Sequence, residues 1–362
     1  MEIGKLKILN FRNYSNIELE FSNTLNIIYG NNGMGKTNLV EAIYVLALTK
    51  SFRAIVDKNI IMKDKNITKV EGVVKTNTKN NYKVIITDEG KKVKINNNKV
   101  NKISDYISKI RVVLFNPDDL KIIKDTPSIR RKLLNISLSQ INQNYLVYLN
   151  CYNKILKQRN SYLKQLFING NSSTKYLDIL TNNLIDYGLK ISEERDNYIE
   201  LINKNINDIY YKIAKKGLLE VKYVSDYKNK SKEDILNNYK KLYAKEMAMG
   251  KTLIGIHHDD IEFLLDKNKL KEWGSEGQLK NSIISFKLSE IEIIKNITND
   301  YPILILDDLF SELDQEKINN ILDLINKDIQ TFITTTDLLK INQDILKNSK
   351  IFKVIGGIIE EE

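Results

Sequence analysis

The sequence has very few of the residues that build disulfides and metal centres. Among its 362 residues are one cysteine, Cys151, and two histidines, His257 and His258. These three residues can neither form a disulfide framework nor complete a four-ligand zinc site. Redox chemistry and structural zinc are therefore excluded.

Long hydrophobic runs are missing as well. Nowhere do about 18 apolar residues follow one another without a charge, and residues 1–5 open a strand pattern where a signal peptide would need an apolar core. We therefore expect a cytoplasmic protein. Its 362 residues, 42% hydrophobic and 28% charged, suit a globular chain with one large and one smaller domain.

The chain is basic, with a formal net charge of +10. A positive field raises the local concentration of polyanions such as nucleic acid. Alternatively, the lysine-rich composition reflects an AT-rich genome and keeps the surface soluble. Arginine is the rarer cation, and its planar fork suits bidentate phosphate contacts, so its positions are informative. The arginines are Arg12, Arg53, Arg111, Arg130, Arg131, Arg159 and Arg195.

The first third of the chain has the pattern of an α/β domain. Strand-like runs at 3–9, 17–21 and 24–29 lead into a glycine-rich turn and a helix. Residues 67–100 alternate in the manner of antiparallel hairpins. This region is expected to form a β-rich lobe beside the glycine-rich turn.

The middle of the chain is helical. Apolar stripes run from about 128 to 211 with a turn expected at 169–173, and such spacing favours packing faces over a binding box. Strands and helices alternate again from 261 to 335, as in a parallel sheet. We therefore expect one domain from residues 1–120 and 251–362, and a helical insert at 121–250.

A phosphate-binding loop follows the third predicted strand. It fits the Walker A pattern and has the sequence Gly30-Asn31-Asn32-Gly33-Met34-Gly35-Lys36-Thr37. Its glycines let backbone N–H groups surround phosphate oxygens at a helix N-terminus. Lys36 would bridge the β- and γ-phosphates, and the Thr37 hydroxyl would bind Mg²⁺. ATP and Mg²⁺ are the predicted cofactors.

A buried strand far downstream supplies two acids. Residues 303–306 are apolar and are followed by Asp307 and Asp308. Alone, this is an ordinary sheet strand, but together with a Walker A loop it fits a Walker B segment. Asp307 would hold the Mg²⁺, and Asp308 would polarise the attacking water, a role suited to a carboxyl with a raised pKa.

The segment before this strand has two interpretations. Its sequence is Trp273-Gly274-Ser275-Glu276-Gly277-Gln278, and it opens a predicted helix. As an ABC-type signature, Ser275 would contact the γ-phosphate held by a second subunit. As a capping box, Ser275 and Gln278 would satisfy N–H groups of the helix end. Both interpretations place a positive helix end beside Ser275.

These motifs together resemble the SMC and RecF branch of ABC-type ATPases, and the RecF family in particular. The acids of the Walker B segment run into a D-loop-like Ser311-Glu312-Leu313-Asp314. Further matching blocks lie at 9–14, 30–43, 48–53, 115–120, 127–131 and 332–337. Two departures are Ile256-His257-His258-Asp259, where the family usually has a proline and an arginine around the histidine, and Asp125, where it has a glycine.

The resemblance implies a fold and a nucleotide site. The fold is an ABC-type ATPase head, α/β in class, with a P-loop mixed sheet and an antiparallel β-rich lobe. An inserted, mostly helical second domain carries a short antiparallel helical arm. Arg12 is implied to contact the nucleotide. Thr334 to Thr336 stand where transporters have a histidine and would meet the γ-phosphate with a hydroxyl, with Thr335 as the implied site residue.

The resemblance also implies a function. Two heads would sandwich two ATP molecules and hold duplex or gapped DNA, with slow, DNA-stimulated hydrolysis acting as a switch. RecR and RecO are the implied partners, and through them RecA loading in replication, gap repair and SOS induction, at the nucleoid. The candidate DNA contacts are Arg53, Arg130 and Arg131, whose alternative role is ordinary surface or interface pairing.

Two other classes of function stay open. The first is a P-loop catalyst. A small-molecule kinase would not need the signature segment, and a nuclease-linked ATPase would need a further acidic metal cluster. A scaffold could keep the motifs without binding ATP. Equilibrium binding of labelled ATP to the wild type and to Lys36→Ala separates the scaffold from the others.

Overall fold

The structure is a computed structural model of the chain. It describes residues 1–169, 174–309, 315–325 and 327–362. Residues 170–173 of the turn expected at 169–173, and the D-loop-like segment at 311–314, lie outside this part. The chain divides into two compact units, Met1–Asp119 with Ile284–Glu362, and Leu120–Ile283.

The secondary structure alternates strands and helices in the first unit and is mainly helical in the second. The strands are β1 (Glu2–Phe11), β2 (Tyr14–Glu20), β3 (Leu25–Tyr29), β4 (Ile67–Lys75), β5 (Lys79–Thr87), β6 (Gly90–Ile95), β7 (Asn98–Lys99), β8 (Val112–Phe115), β9 (Leu219–Val224), β10 (Asp260–Leu265), β11 (Asn268–Lys269), β12 (Ile303–Asp307), β13 (Thr331–Thr335), β14 (Ser349–Ile355) and β15 (Ile358–Glu361). The helices are α1 (Lys36–Leu48), α2 (Ser104–Ile107), α3 (Lys121–Lys124), α4 (Pro127–Ile141), α5 (Gln143–Asn169), α6 (Lys175–Ala214), α7 (Lys232–Met249), α8 (Leu270–Trp273), α9 (Glu276–Thr298), α10 (Gln315–Leu324) and α11 (Gln343–Lys347). Within the described ranges, none of these helices combines the length and apolarity needed to cross a membrane.

The first unit contains two six-stranded sheets. One is antiparallel, with the order β2-β1-β4-β5-β6-β7, and the other is mixed, with the order β15-β14-β3-β13-β12-β8. In the mixed sheet β14, β3, β13, β12 and β8 are parallel neighbours, and β15 pairs antiparallel with β14. Strands β12 and β13 are buried along their whole length, as expected for the centre of a parallel sheet.

Helix α1 lies between the two sheets of the first unit. It contacts β4 and β5 of the antiparallel sheet and β12 and β13 of the mixed sheet. Every residue from Leu39 to Leu48 is buried. Gly72 permits the close approach of β4, because a Cβ there would collide with the side chain of Leu46. A helix enclosed in this way fixes the position of the loop that precedes it.

The second unit combines helices with a small sheet. Helices α5 and α6 pack along each other, and α7 contacts both. Strand β10 pairs antiparallel with β9 and with β11. This pairing joins residues 260–265 to residues 219–224, so the unit extends to Ile283, beyond the residue 250 expected from the sequence.

Candidate nucleotide-binding site

Two glycines set the shape of the phosphate-binding loop between β3 and α1. Gly30 packs so closely on β14 that a Cβ there would collide with the carbonyl oxygen of Val354. Gly35 has a φ of 118°, and its Cβ would lie 2.5 Å from Nδ2 of Asn13. Because a side chain is excluded at both positions, the loop conformation requires glycine there.

The ammonium group of Lys36 lies inside this loop. Its Nζ donates to the carbonyl oxygens of Gly30, at 2.7 Å, and Asn31, at 3.1 Å. Burial lowers the pKa of Lys36, and the charges of Asp308 and Asp307 oppose that shift. An anion that enters the loop therefore meets a cation already in place.

Asn13 supports the loop from outside. Its Nδ2 donates to the carbonyl oxygen of Met34 at 3.0 Å, and its Oδ1 accepts from Nδ2 of Asn38 at 2.8 Å. The backbone N–H of Gly357 donates to the same Met34 oxygen at 3.3 Å. Arg53 extends the chain of contacts, because its Nη1 donates to Oδ1 of Asn38 at 3.1 Å. A single network thus joins Arg53 to the phosphate loop.

Asp307 and Thr37 meet, as the sequence predicts. The Thr37 hydroxyl donates to Oδ1 of Asp307 at 3.0 Å. Thr334 on the neighbouring strand β13 donates to the same oxygen at 2.7 Å and accepts from the backbone N–H of Asp308 at 2.8 Å. Burial raises the pKa of Asp307, and the hydrogen bonds from Thr334 and Thr37 oppose that shift.

Thr334 has a role that the sequence did not indicate. The run from Thr334 to Thr336 is predicted to lie at the γ-phosphate, with Thr335 as the site residue, whereas in the structure Thr334 links the two acids. The register gives the reason, because Asp307 lies directly opposite Thr334 in the parallel pairing of β12 with β13. Both strands are visible in the sequence as apolar runs, so the pairing of Asp307 with Thr334 could have been predicted by aligning them.

The oxygen atoms at this site fit a magnesium ion. Mg²⁺ prefers oxygen ligands and is usually bound by one or two carboxylates together with substrate phosphates. Thr37 and Asp307 provide a hydroxyl and a carboxylate 3.0 Å apart. Within the described residues there is no group of three His, Cys, Asp or Glu that could hold a metal. Phosphate oxygens and waters would complete the coordination.

Three further predicted residues lie in the first unit. Arg12 makes two hydrogen bonds to the buried Glu41, at 2.7 and 3.0 Å, and a third to the carbonyl oxygen of Asn59 at 2.8 Å. Thr335 is buried and exchanges hydrogen bonds with the backbone of Asp337, at 3.1 and 3.2 Å. Asp308 follows β12 with a φ of 51°. Their roles toward a nucleotide stay predictions.

Ser275 belongs to the second unit and begins α9. Its backbone N–H donates to Oε1 of Gln278 at 2.8 Å, and its hydroxyl accepts from the Gln278 N–H at 3.4 Å. The capping box is therefore confirmed. Ser275 is also exposed, and Trp273 nearby is 79% exposed. The signature interpretation stays open, since it requires a second copy of the chain.

The arginines mostly bind carboxylates of the chain itself. The ion pairs are Arg12–Glu41, Arg130–Asp260, Arg159–Glu246 and Arg195–Asp259. Their forked guanidinium suits a carboxylate as well as a phosphate. Arg130 is only 4% exposed and donates to both carboxylate oxygens of Asp260, and its predicted DNA contact stays a prediction. Arg131 donates to the carbonyl oxygen of Asp259 at 2.8 Å, and Arg53 is exposed beside the phosphate loop.

Comparisons with known proteins agree with this architecture. The family described as RecF/RecN/SMC N terminal domain matches residues 2–359. The chain is 39% identical to the DNA replication and repair protein RecF of Oceanobacillus iheyensis, over 99% of this chain and 100% of that protein. It is 38% identical to that of Halalkalibacterium halodurans, over 100% of both.

Solved structures give the same result. The recombination mediator protein RecF-ATP in the RecFOR pathway matches with a TM-score of 0.92 at 31% identity, over 99% of this chain and 97% of that one. An Smc head bound to the C-winged helix domain of ScpA matches with a TM-score of 0.55 at 16% identity, over 100% and 97%. The second match shows the fold alone. The ABC-type head predicted from the sequence is confirmed.

Proposed function

The chain belongs to the RecF family, and on that premise we propose that it is an ATP-dependent DNA-binding protein of replication and repair. The observation that carries this proposal is the 3.0 Å hydrogen bond between Thr37 and Asp307. It joins a phosphate loop to a carboxylate 270 residues away in the chain. A phosphate-loop hydroxyl and a carboxylate are the pair that holds Mg²⁺ in P-loop ATPases.

Different residues of this site would bind ATP, hold Mg²⁺ and position the attacking water. Lys36 and the loop N–H groups would hold the phosphates, with Lys36 leaving the carbonyl oxygens that it now contacts. Mg²⁺, held by Thr37 and Asp307, would supply charge neutralisation. Asp308 would orient the attacking water. Thr334 fixes both acids, because it hydrogen-bonds to the side chain of one and the backbone of the other.

Hydrolysis would serve as a switch between assembly states. Ser275 of a second copy would cap the γ-phosphate, so that bound ATP joins two heads and hydrolysis separates them. The joined heads would hold DNA through its phosphates, in a salt-sensitive and sequence-blind manner. RecR and RecO as partners, and through them RecA loading and SOS induction, complete the proposal.

The test is the molar mass in solution, measured by light scattering with ATP and Mg²⁺ and with ADP. We expect a monomer in ADP and a dimer in ATP for the wild type, and a monomer in both for Ser275→Arg. The matched control is Ser231→Arg, which removes the corresponding capping box of α7. This control should still dimerise in ATP. A mass that does not respond to nucleotide would reject the switch and favour a P-loop catalyst acting on a small molecule.

A further inference from the structure

The charged residues of helix α5 in the second unit are all positive. Its 27 residues contain no aspartate or glutamate. Helix α6, which packs along it, carries seven acids. They are Asp178, Asp186, Glu193, Glu194, Asp196, Glu200 and Asp208. Helix α5 is therefore purely basic, whereas the seven acids of α6 outnumber its four lysines and one arginine.

The cations of α5 form a stripe on its exposed side. Lys154, Lys157 and Lys164 are exposed and are hereafter called the α5 stripe. Asn150 and Ser161, also exposed, continue the alternating spacing of four and three residues that keeps side chains on one helix face. The opposite face of the helix packs into the unit.

Within the described residues, no carboxylate forms an ion pair with any of the three lysines of the α5 stripe. Lysines elsewhere in the unit do pair with acids of α6. Lys228 pairs with Asp196 at 2.5 Å, and Lys232 pairs with Asp186 at 2.6 Å. Two of the seven acids of α6 are thus paired with other lysines.

A neighbouring segment extends the positive surface. Gly250 lies against the stripe, since a Cβ there would come within 2.7 Å of Cγ of Lys164. Thr252 is fixed to α5 because its N–H and hydroxyl donate to Oδ1 of Asn160, at 2.8 and 2.7 Å. Lys251 between them is exposed. It adds a fourth cation beside Lys164.

The dimensions and chemistry of this face suit a nucleic-acid backbone. At about 1.5 Å per residue, the ten steps from Lys154 to Lys164 span about 15 Å. Duplex DNA carries one phosphate about every 3.4 Å of its axis on each strand, so a strand running along this span presents roughly four phosphates. Lysines, side-chain amides and hydroxyls are the groups that contact phosphates. The exposed residues from 150 to 165 are Asn150, Asn153, Lys154, Lys157, Gln158, Ser161, Lys164 and Gln165.

That composition also separates nucleic acid from other partners. Protein interfaces centre on aromatic or other apolar anchors and are depleted in lysine. Membrane-surface helices need an apolar face that inserts. The exposed positions from Asn150 to Gln165 are all polar, and the exposed apolar residues of α5, Val147, Phe167 and Ile168, lie outside this span at its two ends. We propose that the α5 stripe, extended by Lys251, binds the phosphate backbone of DNA. This inference rests on the proposed function and places the contact on helix α5, away from the buried Arg130.

The experiment measures binding of a fluorescent duplex by anisotropy over a series of salt concentrations, with ATP and Mg²⁺ present. The test variant is Lys154→Gln/Lys157→Gln/Lys164→Gln, which keeps polar, helix-favouring side chains. The control is Lys204→Gln/Lys212→Gln/Lys216→Gln, which removes the same charge from exposed positions at the end of α6 and after it.

We expect the three substitutions of the test variant to weaken duplex binding on the order of 10- to 100-fold. The slope of log affinity against log salt concentration should fall in magnitude by about 2.7, roughly 0.9 for each lost phosphate contact. The control should stay within about twofold of the wild type. Labelled ATP should bind all three proteins equally. Equal DNA affinity and salt slope for test variant and control would overturn this inference alone. If the wild type bound no duplex, the proposed function would fail as well.

Discussion

The buried carboxyl of Asp307 is costly for folding when no ligand is bound, and it is the group proposed to hold Mg²⁺. Its carboxyl is buried, and that burial raises its pKa. A carboxyl group whose pKa is raised by folding contributes its full stabilisation of the folded state at a pH below its unfolded pKa of about 3.9. That stabilisation is lost as the pH rises through the pKa of the folded state. At neutral pH the ionised carboxylate therefore lowers the stability of the nucleotide-free protein.

Replacing Asp307 by asparagine should separate these two effects. Asp307→Asn keeps an oxygen that accepts from Thr37 and Thr334 but removes the buried charge. We expect the Tm of the nucleotide-free protein at pH 7 to rise by roughly 1–3 °C, while Mg²⁺-dependent ATP binding falls. The rise should shrink as the pH is lowered and Asp307 becomes protonated. Differential scanning calorimetry across pH and labelled-ATP binding measure the two effects.

The matched control is Asp64→Asn. Asp64 is exposed and has a φ of 63°, a conformation that asparagine also adopts. The Tm of the Asp64→Asn variant should equal that of the wild type. A Tm of Asp307→Asn at pH 7 equal to or below that of the wild type would contradict the argument from burial.

The roles of single residues could be predicted where a local motif carries them. Lys36 and Thr37 stand within one loop, and Asp307 closes an apolar strand, so their types and order indicated a nucleotide site. The role of Arg130 could not be obtained in this way. Its partner Asp260 lies 130 residues away, and only the packing of the second unit brings them together.

At the scale of elements, α6 is shaped by one glycine in its interior. Gly188 is disfavoured in a helix by about 1 kcal/mol relative to alanine. A Cβ at this position would nevertheless collide with the ring of Tyr227 and lie 3.3 Å from the ring of Tyr152. Gly188 therefore permits close packing of the helix against Tyr227.

Gly188→Ala should destabilise the protein despite the better helix propensity of alanine. Overpacking against two buried rings is expected to cost roughly 1–3 kcal/mol. Urea unfolding followed by circular dichroism measures this loss. Gly277→Ala is the control, because a Cβ at Gly277 meets no atom within 4 Å. Equal urea midpoints for both variants would show that the two tyrosine rings move aside without a loss of stability.

The sequence predicted long elements better than short ones. The apolar periodicity of α1, α5 and α6 extends over several turns, so their helical state was evident. Strand β9 was missed, although Leu219, Val221 and Tyr223 are buried on one face. Its six residues form a strand because β10 pairs with them, and that partner begins 36 residues after β9 ends.

At the scale of the whole molecule, the single tryptophan can report on assembly. Trp273 is 79% exposed and stands two residues before Ser275. If two copies join through Ser275, the indole leaves water. We expect tryptophan emission to shift to shorter wavelength in ATP and Mg²⁺ but not in ADP.

Ser275→Arg should abolish this shift, and Ser231→Arg should retain it. The fluorescence should follow the molar mass over the same protein concentrations. An emission spectrum that stays constant while the mass doubles would place the contact between copies away from Trp273.

The mixed sheet of the first unit has a consequence for how the protein is made. Strand β3 lies between β13 and β14, which the ribosome adds about 300 residues later, roughly 15–60 s at 5–20 residues per second. Throughout that interval the apolar α1 lacks the strands β12 and β13 that cover it. The second unit, whose β9 and β10 are close in sequence, can fold within the same time. We therefore expect the emerging chain to expose the apolar surface of α1 until the late strands are made, and to complete its phosphate loop only when β14 has been translated.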